Sequence, residues 1–293
     1  TTASAQSFVA GTHMDSAGKL RMAVMHLDAQ GQTVSSKDYA LGGNKHGRAL
    51  AYDRHSGGTS AIGGGVEVSP GVGHAYFARI GANGVMTSQA VSGYPGPGGS
   101  TAVKALELLA DGGLLVGSYS TKAQFVGGVH YAGIHVARFD ATNQKIWSRY
   151  GDENGIFASG LAMRVVGNDV WASSALVRSE AGYVGGHSWV MRMRIDFSDG
   201  HTISRTWNNQ PLGEEQHRFV FDSKALPDRG MEIGYSTAKN PKSGAKDAWF
   251  AVRDGFNNQI NVADLDLGAG RDDAYTGAAM LTNGTMVLTG WRD

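Results

Sequence analysis

Four short segments of this chain hold most of the residues that could do acid–base or binding chemistry: Asn44-Lys-His-Gly-Arg48, Gly151-Asp-Glu-Asn154, Gly213-Glu-Glu-Gln-His-Arg218 and Gly270-Arg-Asp-Asp273. They supply the carboxylates Asp152, Glu153, Glu214, Glu215, Asp272 and Asp273, the cations Arg48, Arg218 and Arg271, and the imidazoles of His46 and His217. Crowded carboxylates push one pKa upward, which sets a protonated acid beside an ionised base. Such a pair hydrolyses glycosidic bonds. On that reading Asp152, Glu215, Asp272 and His217 are the candidate acid–base residues, with Arg218 or Arg271 holding substrate charge. The whole set is also the make-up of a polar ligand-binding site. A ring of solvated charges, each Asp bonding backbone N–H groups in its own turn, has the same sequence appearance.

Other constellations carry less. His46 and His217 could share a metal, but no short metal signature accompanies them, and the chain has no Cys. Asp196-Phe-Ser-Asp-Gly200 has the wrong ligand spacing for calcium. No metal or cofactor is therefore expected. Gly186-His-Ser-Trp-Val190 begins like a nucleophile elbow but lacks the closing Gly and the helix that an elbow needs. The Gly-rich runs Gly63–Gly65 and Tyr94–Gly99 also lack a following helix, so they do not read as phosphate loops. Tyr94, Tyr131 and Tyr183 fall in long inter-strand segments where a ring could stack on a sugar. The six Trp residues fall on expected strands and read as packing residues.

The polar segments recur because the chain recurs. A phrase of four short strands returns about every 53 to 61 residues, clearest in Gly133–Asp140, Lys145–Tyr150, Ala158–Val165 and Asp169–Ser174. With A to D naming the strands of one unit, the A strands are expected at Arg48–Asp53, Ala102–Leu109, Ser159–Val166, Arg218–Ser223 and Tyr275–Leu281. Five C and five D strands accompany them, but six B strands, the first at Ser7–Thr12 and the last at Met286–Trp291. Asp28, Gly81, Asp140, Asp196 and Asp254 open the C-to-D turns, where Asp and Gly are turn chemistry. Repeats of this length made of short strands stack radially, which predicts an all-β chain. The expected architecture is a single β-propeller domain spanning 1–293, with four-stranded blades. Five blades is the expected count and six the alternative. The C-terminal A strand would close a blade with the N-terminal B, C and D strands, hiding sheet edges. In that architecture the polar D-to-A segments and the long B-to-C segments share one axial face.

The unit resembles the bacterial seven-bladed-propeller (SBBP-like) repeat family in Ala137-Arg-Phe-Asp140, Trp147, Tyr150-Gly151, Leu106–Gly113 and Leu115-Val-Gly117. The copies are degenerate, and the blade count departs from seven. The resemblance implies an exported or surface-attached protein that binds or scaffolds, and it brings no catalytic motif. Lys plus Arg equals Asp plus Glu at 26 each, so no overall basic field attracts nucleic acid. No apolar stretch approaches the length of a membrane-spanning helix, so no membrane insertion is expected. The start at Thr1 suggests processing, and an extracellular or periplasmic location is expected. The leading expectation is a secreted or periplasmic binding module that recognises a glycan, peptide or protein partner at the axial loop face. The alternatives are a propeller enzyme acting on polysaccharide, as glycoside hydrolase or lyase, and a structural module of a surface layer.

Overall fold

The computed structural model describes residues 7–28, 30, 32–39, 45–52, 60–69, 72–81, 85–91, 101–126, 129–153, 156–178, 187–211, 215–221, 229–236, 247–254, 259–265, 273–280 and 286–292. These form twenty-one β-strands. Among them no helix is long and apolar enough to cross a membrane. Each sheet follows chain order, and every strand pairing described is antiparallel.

The chain divides into two compact units. Unit one comprises residues 1–125 and 132–152, and unit two comprises residues 126–131 and 153–293. Unit one carries a first sheet of β1 (Ser7–Met14), β2 (Leu20–Leu27) and β3 (Thr33–Tyr39). Its second sheet holds β4 (Lys45–Tyr52), β5 (Ser60–Ser69), β6 (Val72–Ile80) and β7 (Met86–Val91). The third holds β8 (Thr101–Leu108), β9 (Leu114–Val126), β10 (Val129–Phe139) and β11 (Lys145–Glu153), with the β9–β10 tip and Glu153 counted in unit two. Unit two carries β12 (Ile156–Val166), β13 (Asp169–Arg178), β14 (His187–Asp196) and β15 (Thr202–Pro211), then β16 (Glu215–Phe221), β17 (Arg229–Ser236), β18 (Asp247–Asp254) and β19 (Gln259–Leu265). A two-stranded sheet of β20 (Asp273–Met280) and β21 (Met286–Arg292) follows.

The second sheet shows why these segments alternate so faintly in sequence: it is buried on both faces. Ala61, Ala75 and Phe77 pack with Val103, Leu114, Val116, Ala137 and Phe139 of the third sheet. Ile62, Tyr76, Ala78 and Ile80 pack with Met22, Val24 and Tyr39 of the first. The Phe77 and Phe139 rings meet at 4.8 Å between centroids, a tilted pair at the middle of the second seam. Burying a ring such as Phe77 stabilises by about 1.5–3 kcal/mol.

Neighbouring sheets meet chiefly at their first strands. In unit one β4 packs against β1 and β2, and β8 against β4, β5 and β6. In unit two β16 packs against β12 and β13, and β20 against β16, β17 and β18. The last strands β3, β7, β15 and β19 make their main contacts with the preceding strand of their own sheet. Within each unit the sheets therefore draw together at the first strands and splay toward the last.

The acidic turns are structural, as their composition predicted. Asp28 Oδ1 accepts from the N–H groups of Gln30 (2.9 Å) and Gln32 (2.8 Å). Asp140 Oδ1 does the same with Thr142 and Gln144, both at 2.8 Å. Asp196 Oδ1 accepts from the N–H of Ser198 at 2.8 Å. The hydroxyl of Thr142 and the amides of Gln144 and Thr142 hold the Asp140 carboxyl below the usual carboxylate range, as the Ser198 hydroxyl and amide do for Asp196. A buried arginine ties one sheet to the next. Arg79 of β6 donates Nε to Asn143 Oδ1 (2.7 Å), Nη1 to the Gly112 carbonyl (2.9 Å) and Nη2 to the Asp140 carbonyl (2.9 Å). Asn143 sits at φ 66° and Gly112 at φ 77°, the left-handed conformations that bring those turns within the guanidinium's reach.

Candidate functional site

The candidate residues fall where the first strands begin. In the four-residue openings of those strands, β4 starts Lys45-His-Gly-Arg48, β8 Thr101-Ala-Val-Lys104, β12 Ile156-Phe-Ala-Ser159, β16 Glu215-Gln-His-Arg218 and β20 Asp273-Ala-Tyr-Thr276. Each of these strands was expected to begin later, at Arg48, Ala102, Ser159, Arg218 and Tyr275, with the polar residues before it in a loop. The structure corrects this: His46 and Arg48 lie within β4, Asp152 and Glu153 within β11, Glu215, His217 and Arg218 within β16, and Asp273 within β20. Glu214, Arg271 and Asp272 lie outside the described residues.

A recurrent β-bulge accompanies the misread starts, except in β16. In four of the five first strands the ladder to the second strand slips by one residue at the fourth position: Arg48, Lys104, Ser159 and Thr276 are the inserted residues. Only β16, with Arg218 there, pairs in unbroken register. An inserted residue reverses the inward–outward alternation on either side of it. Thus Val103 before the bulge and Leu106 and Leu108 after it reach the same core cluster, although their spacing in a regular strand would put them on opposite faces. An alternation read from sequence ends at such a point, so the residues before it look like loop. Bulges also re-aim side chains, and they recur beside functional sites.

The long second-to-third connections are corrected in the same sense. Much of Gly65–His74 is strand of β5 and β6, and Tyr131 lies in β10 rather than in a loop. Tyr94 and Tyr183 lie outside the described residues. Ser188 is the second residue of β14, paired with Val177 and Gln210 in the sheet, which disposes of the elbow reading. The Gly63–Gly65 run is also strand. Val103 presses so closely on Gly63 that an added Cβ would stand 2.6 Å from Val103 Cγ1. No group of three or more potential metal ligands occurs among the described residues.

What the openings bring together is resolved within each unit. In unit one, β4 and β8 pack side by side, placing Arg48 and Lys104 at the same register position of neighbouring strands. In unit two, β16 and β20 pack, so Glu215, His217 and Arg218 share a seam with the strand that Asp273 opens. Asp273 is fully buried and stands opposite Arg292 in the β20–β21 ladder.

One constellation was not foreseen. His135 of β10 is buried, its Nδ1 lies 3.2 Å from the buried Ser118 Oγ of β9, and its ring stacks on Tyr150 of β11 at 4.4 Å between centroids and 24° between planes. Burial, with a smaller contribution from the Lys145 ammonium, pushes the His135 imidazole down to about 4. Aligning the repeats was the signal that could have found it. Five residues before the third-to-fourth turn, successive copies carry Tyr76, His135, Met191 and Trp249, and the first copy carries Ala23.

No protein-family model matches the chain, and no curated protein does. Among solved structures, the β-propeller domain of the Trilobed protease from Pyrococcus furiosus superposes with a TM-score of 0.52 at 11% identity, covering 98% of this chain and 75% of that one. The fold shared is the β-propeller. An ACO/RPE65 chimera aligns at a TM-score of 0.51 and 10% identity, over 88% of this chain and 58% of that one. A Synechocystis apocarotenoid oxygenase carrying a point mutation gives 0.48 at 9% identity, and this propeller chain spans 58% of its length. The likeness concerns the scaffold. The antiparallel three- and four-stranded sheets are blade-like, and the propeller's repeats follow no family pattern that the sequence matches.

Proposed function

We propose that this chain is a propeller binding module that holds its ligand where the first strands begin. The observation that carries the reading is the side-by-side packing of first strands within each unit, each opening on a short segment that varies in charge from sheet to sheet. In the proposed assembly the whole chain is one domain of five blades. Four are the four-stranded sheets, and the fifth joins β20 to β1–β3 and leaves β21 as a surplus strand. The openings of β4, β8, β12, β16 and β20 then share one axial end. His46, Arg48, Asp152, Glu153, Glu214, Glu215, His217, Arg218, Arg271, Asp272 and Asp273 converge on it. A glycan, peptide or protein partner is recognised there, outside the cytoplasm, through charge-assisted hydrogen bonds to a mouth of mixed sign. Glycan-array and pull-down screens test this directly. A ligand retained by the unmodified protein and lost with Glu215→Ala and His217→Ala is the expected result. No ligand in either screen, or equal retention by both variants, overturns the assignment.

The burial of Asp273 where β20 opens favours a second reading, polysaccharide cleavage by carboxylates at the same end. Under it Asp152, Glu215 or Asp272 acts as acid or base. Turnover on a polysaccharide panel, with a bell-shaped pH–rate profile that Glu215→Gln abolishes, is the expected result. A full panel without turnover removes this reading and leaves the binding module.

A further inference from the structure

In unit one the slot five residues before the third-to-fourth turn lies on the face turned to the preceding sheet. Tyr76 does so between the first and second sheets, as part of their core cluster. The third sheet puts His135 there, and it alone among the repeats places an imidazole in that slot. His135, Ala137 and Phe139 alternate along β10, and Ala137 and Phe139 meet Ala61, Ala75 and Phe77 of the second sheet. The ring is therefore at the seam, beyond the apolar cluster toward the end where β8 begins, as Ser118 faces Val103 across the β8–β9 ladder. That end is also where Val103 bears on Gly63, so the two sheets have little slack.

We propose that His135 is an acid-operated switch: the neutral imidazole seals the seam between the second and third sheets, and the imidazolium opens it at the β8 end. The neutral ring is served by its environment. Ser118 Oγ meets Nδ1, Tyr150 covers one face, and His135 is only 4% exposed. The imidazolium can still donate from Nδ1 to Ser118 Oγ, but its charge is not balanced. The charge acting on it is Lys145 of β11, which is of like sign. The other charged or titratable side chains described on the adjoining strands are Arg149 of β11, Arg138 of β10 itself, Lys104 and Glu107 of β8, and His74 and Arg79 of β6. Arg138 is committed to Asp111, and Arg79 to its three turn acceptors. A charge placed in this packed seam is therefore relieved by admitting water, which requires the sheets to part.

The test is hydrogen exchange of the β8–β10 amides at pH 7.5, 6 and 5, corrected for intrinsic exchange, in the unmodified protein and in His135→Tyr, which installs the second sheet's residue. Displacement of the ring from 6.5 to about 4 sets the expected size: opening of this seam rises about thirty-fold by pH 5 and stays within twofold in the variant. The amides flanking Tyr76 in β6 serve as the internal control, and their opening rises less than that of the β8–β10 amides. Equal acid sensitivity in variant and unmodified protein, or an equal rise in both seams, overturns the switch. If His135→Tyr does not fold, the assigned ring resonance of His135 is titrated in the unmodified protein. A midpoint far below 6.5, coincident with loss of β8–β10 protection, supports it, and an ordinary midpoint near 6.5 overturns it.

Discussion

At the seam between the first and second sheets, Tyr76 directs its hydroxyl at Met86 Sδ, 3.8 Å away, and the slot holds a phenol rather than an imidazole. At the seam between the second and third sheets the same slot holds His135 against Ser118 and Tyr150. Both seams use the same strand positions, and both bury small and aliphatic residues from the sheet behind. Burial drives the Tyr76 phenol further from ionisation, upward and away from biological pH, while it drives His135 downward through the mildly acidic range. The repeat thus fixes where a seam is, and the residue substituted into one copy decides what disturbs it.

The comparison breaks most severely at Phe77, which the second seam buries completely in a tilted pair with Phe139. Phe77→Ala is expected to cost about 3–5 kcal/mol in urea unfolding, with the second seam losing protection first. The next effect is pH. A group whose folded pKa is depressed from 6.5 to about 4 contributes fully above 6.5 and loses that contribution as pH falls toward 4, because the unfolded chain takes up the proton first. The loss is about 3 kcal/mol over that window, and His135→Tyr removes the pH dependence while Tyr76→Phe leaves it intact. Arg79 comes third. Arg79→Met strips donors from the Gly112 and Asp140 carbonyls and from Asn143, and is expected to cost about 2 kcal/mol independent of pH between 5 and 8. The smallest is Gly63→Ala, where the new methyl meets the stiff branched side chain of Val103; about 1 kcal/mol, measured as an earlier urea midpoint, is expected.

Much of this fold is legible in the sequence because its cues are local. Each expected strand has a counterpart in the twenty-one observed; the carboxyls of Asp28 and Asp140 cap the amides two and four residues on, and that of Asp196 the amide two residues on. The bulges at Arg48, Lys104, Ser159 and Thr276 were not legible, since a two-against-one pairing exists only between strands and its sole trace in one strand is a broken alternation. That break accounts for the opening of β4, whereas Glu215, His217 and Arg218 of β16 extend the strand with no such break. His135 escaped notice for a different reason. Its column of the repeat is occupied by Tyr, Met and Trp elsewhere, so it reads as one more packing residue until Ser118 and Tyr150 are seen around it.

The binding reading stands on one geometric claim, that packed first strands open at the same end. The chain contains no Cys, so Lys45→Cys at the opening of β4 and Thr101→Cys at the opening of β8 can each carry a single spin label. Dipolar spectroscopy on the doubly labelled protein measures the separation across the proposed mouth. One narrow, short distance is predicted, unchanged by dilution. A broad distribution, or a separation too long for two strands around one axial opening, contradicts the account.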